Sequence, residues 1–412
     1  MKPYFIPYQH YSSPINFAPE VVAELEIPEK ITIYDSTVRK LLLTPGMRAS
    51  VGELADIAKL SYDAGLHTTV LNVHWWGSSE PEPYAHAVAR RISNDSSARI
   101  TISTDVFNSD RWVEALPVFA DLGPAAVSMD IPLPDIEGQK DIDLNRQLDR
   151  LAGGCEILLR EGIEPMLGVL DIGRAHPEAM ARYIDVGISA GCTSMLLHDS
   201  TSSLSPEGMK HAVRGIRRRA PGIPVVMHVH NDVGMAEAGC IAAVTAGAHP
   251  DVSACGVSYR AGFAKLEAVA ATLISLYGVD LDLDWERIQE LCRRVDVLVP
   301  PGGFRGLSGT RAFLKESTAA YPRFGGLGDR PLSDPDAVLS AEGFGGENHF
   351  VWGRNLIAED SALEAKLKML GMGHGADELF RAREKLLNWL IAVSDYPYWL
   401  EDSQVDDILL AN

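Results

Sequence analysis

The sequence is poor in positive charge, with 37 Lys+Arg against 56 Asp+Glu and a net charge of −19. An acidic surface repels phosphate backbones and anionic lipid, so neither nucleic acid nor a membrane is the expected partner. Long apolar runs are missing as well. No stretch approaches the roughly 18 consecutive apolar residues of a membrane span. Met1 to Phe17 lacks the basic-then-apolar pattern of a leader. Cysteine is scarce: Cys155, Cys192, Cys240, Cys255 and Cys292, with no CxxC pair among them. Their apolar or helical surroundings read as reduced core thiols, and an odd count points to a reducing, cytoplasmic setting. No glycine-rich phosphate fingerprint follows the first apolar run, which counts against a doubly wound open sheet.

Hydrophobic residues make up 46% of 412, enough for a full-sized core. Eight short apolar runs recur at regular spacing: Ile31 to Asp35, Thr68 to His74, Arg99 to Thr104, Ala125 to Asp130, Glu164 to Val169, Thr193 to His198, Pro224 to His230 and Val252 to Val257. Helix-period segments lie between them, among them Val51 to Ala64, Ala179 to Ala190, Pro206 to Arg219 and Met235 to Ala246. Ser50 followed by Glu53 reads as a capping box at the head of the first. Strand and helix alternating eight times predict an α/β fold, a (β/α)8 TIM barrel over residues 30–280. An N-terminal arm, 1–29, precedes it. Residues 281–412 read as a linker and a mainly helical C-terminal subdomain, with helices near Ser361 to Leu370 and Ala376 to Val393. That subdomain is too small for a large core, so it should pack on the barrel or on a second subunit.

Barrel active sites lie where strands end at their C-terminal side. His228-Val229-His230 sits there on the seventh run. Alternate strand residues share a face, so the two imidazoles could hold one metal ion or act in proton transfer. His74 ends the second run with Trp75 and Trp76 directly after it, and His198 beside Asp199 ends the sixth. Lys40 follows Arg39 closely after the first. It either faces solvent on a loop or presents an ammonium, or a Schiff-base amine, to a keto substrate.

The order of motifs resembles a family. His228-Val229-His230-Asn231-Asp232-Val233-Gly234-Met235-Ala236 is similar to the HxHND-x-G-x-A signature of the DRE-TIM metallolyases, which include 2-isopropylmalate synthase, homocitrate synthase and HMG-CoA lyase. Asp35-Ser36-Thr37-Val38-Arg39-Lys40 with Thr44-Pro45-Gly46 resembles the family's D-T-T-L-R-D opening. Asp199-Ser200-Thr201 with Pro206 resembles its D-T-x-G…P element. Arg260-Ala261-Gly262-Phe263-Ala264-Lys265-Leu266-Glu267 is similar to R-A-G-N-A-x-L-E, and Gly309 to Phe313 resembles the G-x-x-A-F element of the synthases.

The resemblance implies an acyltransferase of the Claisen type or a carbon–carbon lyase, working next to the carbonyl of a keto acid or acyl-CoA thioester, in a homodimer. It implies catalytic Arg39, His228 and His230, with a divalent metal on the two histidines. Read from the residues themselves, Lys40 joins the catalytic set, and Asn72, His74, Asp171, Arg174, Asp199 and Lys315 are the candidate substrate contacts. Several family positions have changed. Lys40 stands where the family has a metal-ligating Asp, Phe263 where it has Asn, Leu43 for Gln, Asn72 for an acidic residue, Leu170 for Glu and Lys315 for His. A Lys beside a divalent ion is repelled by several kcal/mol at an intermediate dielectric. A weakly held metal, or none, is therefore expected, with altered, metal-independent chemistry. The alternative is a non-catalytic homologue that binds a small molecule or a partner protein.

Overall fold

The computed structural model describes residues 3–44, 46–72, 83–104, 118–138, 142–258, 261–299, 307, 314–315, 342–346, 349–353, 357, 360–392 and 399–411. Eight parallel strands close into a barrel: β1 (Tyr34–Asp35), β2 (Thr68–Leu71), β3 (Arg99–Thr104), β4 (Ala126–Pro132), β5 (Glu164–Leu170), β6 (Ser194–Asp199), β7 (Val225–Val229) and β8 (His249–Val252). β8 pairs with β1 to complete the ring, Asp251 opposite Tyr34 and Val252 opposite Asp35. The strands are buried along almost their whole length because helices cover the outside. The expected barrel is thus the observed fold.

Local chemistry sets many of the boundaries. Ser50 accepts the Glu53 amide and Glu53 accepts the Ser50 amide, the capping box expected at the head of Val51–Asp63. Pro206–Arg219 begins on Ser205, whose hydroxyl accepts the Gly208 amide, with Pro at the first helical position.

Two expectations fail. The eighth strand ends at Val252, not Val257: Ala254–Gly256 is a 3-10 turn in which Cys255 has φ +56 and Gly256 φ +65. Left-handed residues cannot continue a strand. Lys40 is not on a loop. Asp35 accepts the Thr37 amide (2.9 Å) and hydroxyl (2.5 Å), and a seven-residue helix, α1 (Thr37–Leu43), starts at once, every residue of it buried.

Beyond the barrel, Trp285–Asp296 is helical and packs against the barrel core through Ile288, Leu291 and Val295. The C-terminal region contains helices Asp360–Met369, Ala376–Ala392 and Asp402–Leu410. It also contains a three-stranded sheet of Leu314–Lys315, His349–Trp352 and Leu400–Glu401. Trp352, Ile357, Leu363, Leu367, Leu386 and Leu400 form part of a core separate from that of the barrel. Among the described residues no helix is long and apolar enough to cross a membrane.

Candidate active site at the barrel mouth

The early start of α1 turns Arg39 and Lys40 inward, and they are 5% and 1% exposed. The loop after β8 reinforces this: the Ala254 amide donates to the Thr37 hydroxyl (2.9 Å) and the Ser36 amide to the Val252 carbonyl (2.8 Å). Lys40 Nζ lies 3.2 Å from Nε2 of His230. It also sits 4.6 Å from the centre of the Phe263 ring. An ammonium only donates, so Nε2 of His230 accepts. An aromatic face favours the charged amine. His230 and Phe263 form an isolated antiparallel bridge, which fixes the ring across from the imidazole.

His228 lies on β7 with its ring 4.4 Å from that of His198 and 4.2 Å from Phe263. Its Nδ1 is 2.5 Å from Asp251 Oδ2 on the neighbouring strand. Burial, then the charges of Lys40, His198 and Arg39, hold the His228 pKa well below the ordinary 6.5. Burial pushes Asp251 up to about 7 against the opposing pull of Arg39. His228 is therefore neutral, and once Asp251 is ionised, above about pH 7, the imidazole donates Nδ1–H to the carboxylate and carries its lone pair on Nε2. Arg39 Nη1 lies at 3.5 Å from the same Nδ1, a contact that the closer carboxylate dominates.

Arg39 spans two carboxylates, 3.6 Å from Asp130 and 4.0 Å from Asp251. Asp130, on β4, accepts from the hydroxyls of Ser103 and Ser128 and faces His198 Nε2 at 3.5 Å. Burial alone would raise its pKa, but His198 and Arg39 hold it below the usual 3.8. Gly168, opposite Asp130 on β5, makes this possible: a methyl group there would strike the Asp130 carboxylate and the Ser128 hydroxyl.

The expected substrate residues are more dispersed. Asn72 is buried at the end of β2. Asp171 has φ +57, and its carboxylate is engaged by Arg174 (Nη2 at 2.7 Å, Nε at 3.0 Å) and by the Thr201 hydroxyl (3.0 Å). Asp199 turns to its own loop, accepting the Ser203 amide at 2.8 Å, and burial raises its pKa to about 6. These two carboxylates shape the βα loops rather than converging on Lys40. Lys315 lies on the strand that pairs with His349–Trp352, in the C-terminal sheet. His74, Trp75, Trp76 and Arg260 lie outside the described residues.

A divalent ion on His228 and His230 fits this donor set poorly. His228 is oriented as a ligand would be, its far nitrogen held by a carboxylate. Yet the Nε2 of His230 is already taken by a cationic nitrogen. Among the described residues no further His, Cys, Asp or Glu joins them to make a set of three with donor atoms within 4.8 Å of one another. Two neutral imidazoles beside an ammonium do not meet the anionic-oxygen demand of a hard cation.

The partners Asp251 and Arg39–Asp130 are what sequence reading missed at this site. Asp251 belongs to His249-Pro250-Asp251-Val252, whose Pro and charges disguise it as a turn. Asp130 was visible only as a polar strand end.

The sequence model of the HMGL-like family matches residues 136–295. A Methanopyrus kandleri protein assigned as an (R)-citramalate synthase is 30% identical over 377 residues, covering 89% of this chain and 70% of its own length. A homocitrate synthase of the same organism is 26% identical over 400 residues, 95% of this chain and 94% of its own. Among solved structures, hydroxymethylglutaryl-CoA lyase from Pseudomonas aeruginosa superposes with a TM-score of 0.57 at 16% identity, over 68% of this chain and 97% of that one. The last likeness is one of fold.

Proposed function

The chain belongs to the HMGL-like family of DRE-TIM metallolyases, and from that premise we propose that it makes or breaks a carbon–carbon bond next to the carbonyl of a keto acid or acyl thioester, with the ammonium of Lys40 in place of a divalent ion. The observation that carries this reading is the position of Lys40 Nζ, enclosed between His230 Nε2 and the Phe263 ring. The relatives named for citramalate and homocitrate synthesis support the substrate class.

The residues take the following parts. Arg39 and Lys40 supply two positive charges in a buried site, where preorganised donors stabilise a developing enolate oxygen. His228, neutral and held by Asp251, takes the proton from the carbon next to the carbonyl. Asp251 is a positioning residue, fixing the tautomer that leaves Nε2 free to accept. The Phe263 ring favours a charged Lys40, so the amine acts through its field and not through an imine.

The test is condensation or cleavage assayed with 2-keto acids and acyl-CoA thioesters, by release or consumption of free thiol, with and without chelator. Turnover unchanged by chelator and lost in Lys40→Met is expected. Turnover that requires added Mg2+ or Mn2+ would overturn the reading, and a borohydride-trapped adduct on Lys40 would replace the field with an imine. A keto acid that binds without any turnover would leave the binding-protein alternative. The double variant Lys40→Asp/Phe263→Asn should gain a chelatable divalent ion at the mouth.

A further inference from the structure

Three of the five cysteines are buried, as a core reading requires, but Cys255 and Cys292 are half-buried and lie against one another. Cys255 sits in the turn after β8, and Cys292 on the helix Trp285–Asp296 packed over that turn. Glu267, in the first turn of the helix Leu266–Tyr277, completes a trio. One donor atom from each residue lies within 4.8 Å of the other two. Cys292 Sγ is 3.7 Å from Glu267 Oε2. Two ligands of a tetrahedral zinc ion, with Zn–S about 2.3 Å and Zn–O about 2.1 Å, stand about 3.6 Å apart. The Cys292 thiol donates to Glu267 Oε2 across that gap, and the separation also matches the spacing of two zinc ligands.

Other details agree. The Cys255 amide donates to the same Glu267 oxygen at 3.1 Å, the support a ligating carboxylate usually has. Cys255 holds its thiol toward the Cys292 carbonyl, 3.4 Å away, at the cost of a left-handed φ of +56. Such strain in a non-glycine residue is worth explaining and clusters at functional positions. Thiolate pairs select zinc over hard cations. Nothing in the sequence spacing announces the trio, because Cys255 and Cys292 lie on separate elements.

We propose that Cys255, Glu267 and Cys292 form a site for one zinc ion, with solvent as the fourth ligand. On binding, both thiols lose their protons to solvent, and two thiolates and a carboxylate hold the dication, so affinity rises with pH. The ion clamps the turn after β8 to the helix Trp285–Asp296. That turn continues to Phe263, whose amide donates to the Gly256 carbonyl at 3.0 Å. The clamp therefore steadies the ring beside Lys40 without entering the barrel mouth.

The test uses the full chain, freshly reduced and stripped by chelator, titrated with Co2+ as a spectroscopic probe. One equivalent should give a sulfur-to-cobalt charge-transfer band, bleached by Zn2+. Cys292→Ser and Glu267→Gln should weaken or abolish it, while His230→Ala keeps it. The wild-type titration stands even where a variant fails to fold. The absence of a band, or a band that survives Cys292→Ser and disappears in His230→Ala, would overturn the proposal. So would thiol titration showing that Cys255 and Cys292 form a disulfide which blocks Co2+ uptake in the protein as isolated. The last but one outcome would also contradict the metal-free barrel mouth, whereas a missing band leaves that reading intact.

Discussion

Two donor clusters lie only a few residues apart along one loop, and they solve opposite problems. At the barrel mouth, His230 and Phe263 surround a cation that the chain itself supplies through Lys40. Behind that loop, Cys255, Glu267 and Cys292 bring together two thiols and a carboxylate. Imidazole nitrogen suits both an ion and an ammonium, whereas a paired thiolate has little use except for a soft metal or oxidation. The contrast teaches that a histidine pair alone does not say which cation it faces. The neighbouring residues decide.

The sharpest way to break this comparison is Lys40→Met, which removes the tethered cation and keeps the bulk. Turnover should fall about 100- to 1000-fold, the usual loss for one preorganised electrostatic donor. Steady-state kinetics would show it in kcat, and a change in KM alone would refute the role. Next in size is Asp251→Asn, which keeps the shape but misassigns the proton of His228. A loss of about 100-fold in kcat is expected, the lower end of what a general base contributes, together with an altered pH profile that a purely structural role would not produce.

The wild-type pH profile sharpens the same point. His228 is depressed below 6.5, chiefly by burial. His228 itself stays unprotonated as pH falls, so the acidic limb of kcat/KM should report Asp251, at about 7, whose protonation removes the acceptor for Nδ1–H. A profile flat through about pH 7 would exclude the His228–Asp251 pair as the base. Gly168→Ala tests the support behind Arg39. The added methyl meets the Asp130 carboxylate and should cost about 1–3 kcal/mol, as overpacking does, read as a lowered denaturation midpoint. The smallest effect belongs to the second cluster: stripping zinc should change turnover less than about tenfold, because the clamp touches no reacting atom, and a larger loss would place that cluster inside the chemistry.

How far the sequence discloses all this depends on whether local or distant contacts decide. The barrel strands β3 to β7 and the helix Pro206–Arg219 are readable because apolar periodicity, proline and capping serine all act within a few residues. Helix α1 is not, because a fully buried helix has no polar face to mark its period. Strand β8 is hidden for a related reason. Asp251 and Pro250 look like a turn until His228, 23 residues earlier, accounts for the buried carboxylate. Arg39, Lys40 and the histidines stand out as residue types. Their partners Asp130 and Asp251 emerge only when the ring closes and sets β8 beside β7.

A bound ion obeys a dissociation constant, and chelators or competing metals can remove it. The ammonium of Lys40 has none, since it is covalently part of a helix that is buried from Thr37 to Leu43. It can leave His230 only when α1 itself gives way. For a domain stable by about 5–15 kcal/mol, global unfolding empties the position less than about one part in a thousand of the time. On the reading proposed for Lys40, the charge at this barrel mouth is set by inheritance and folding and not by the metal supply of its surroundings.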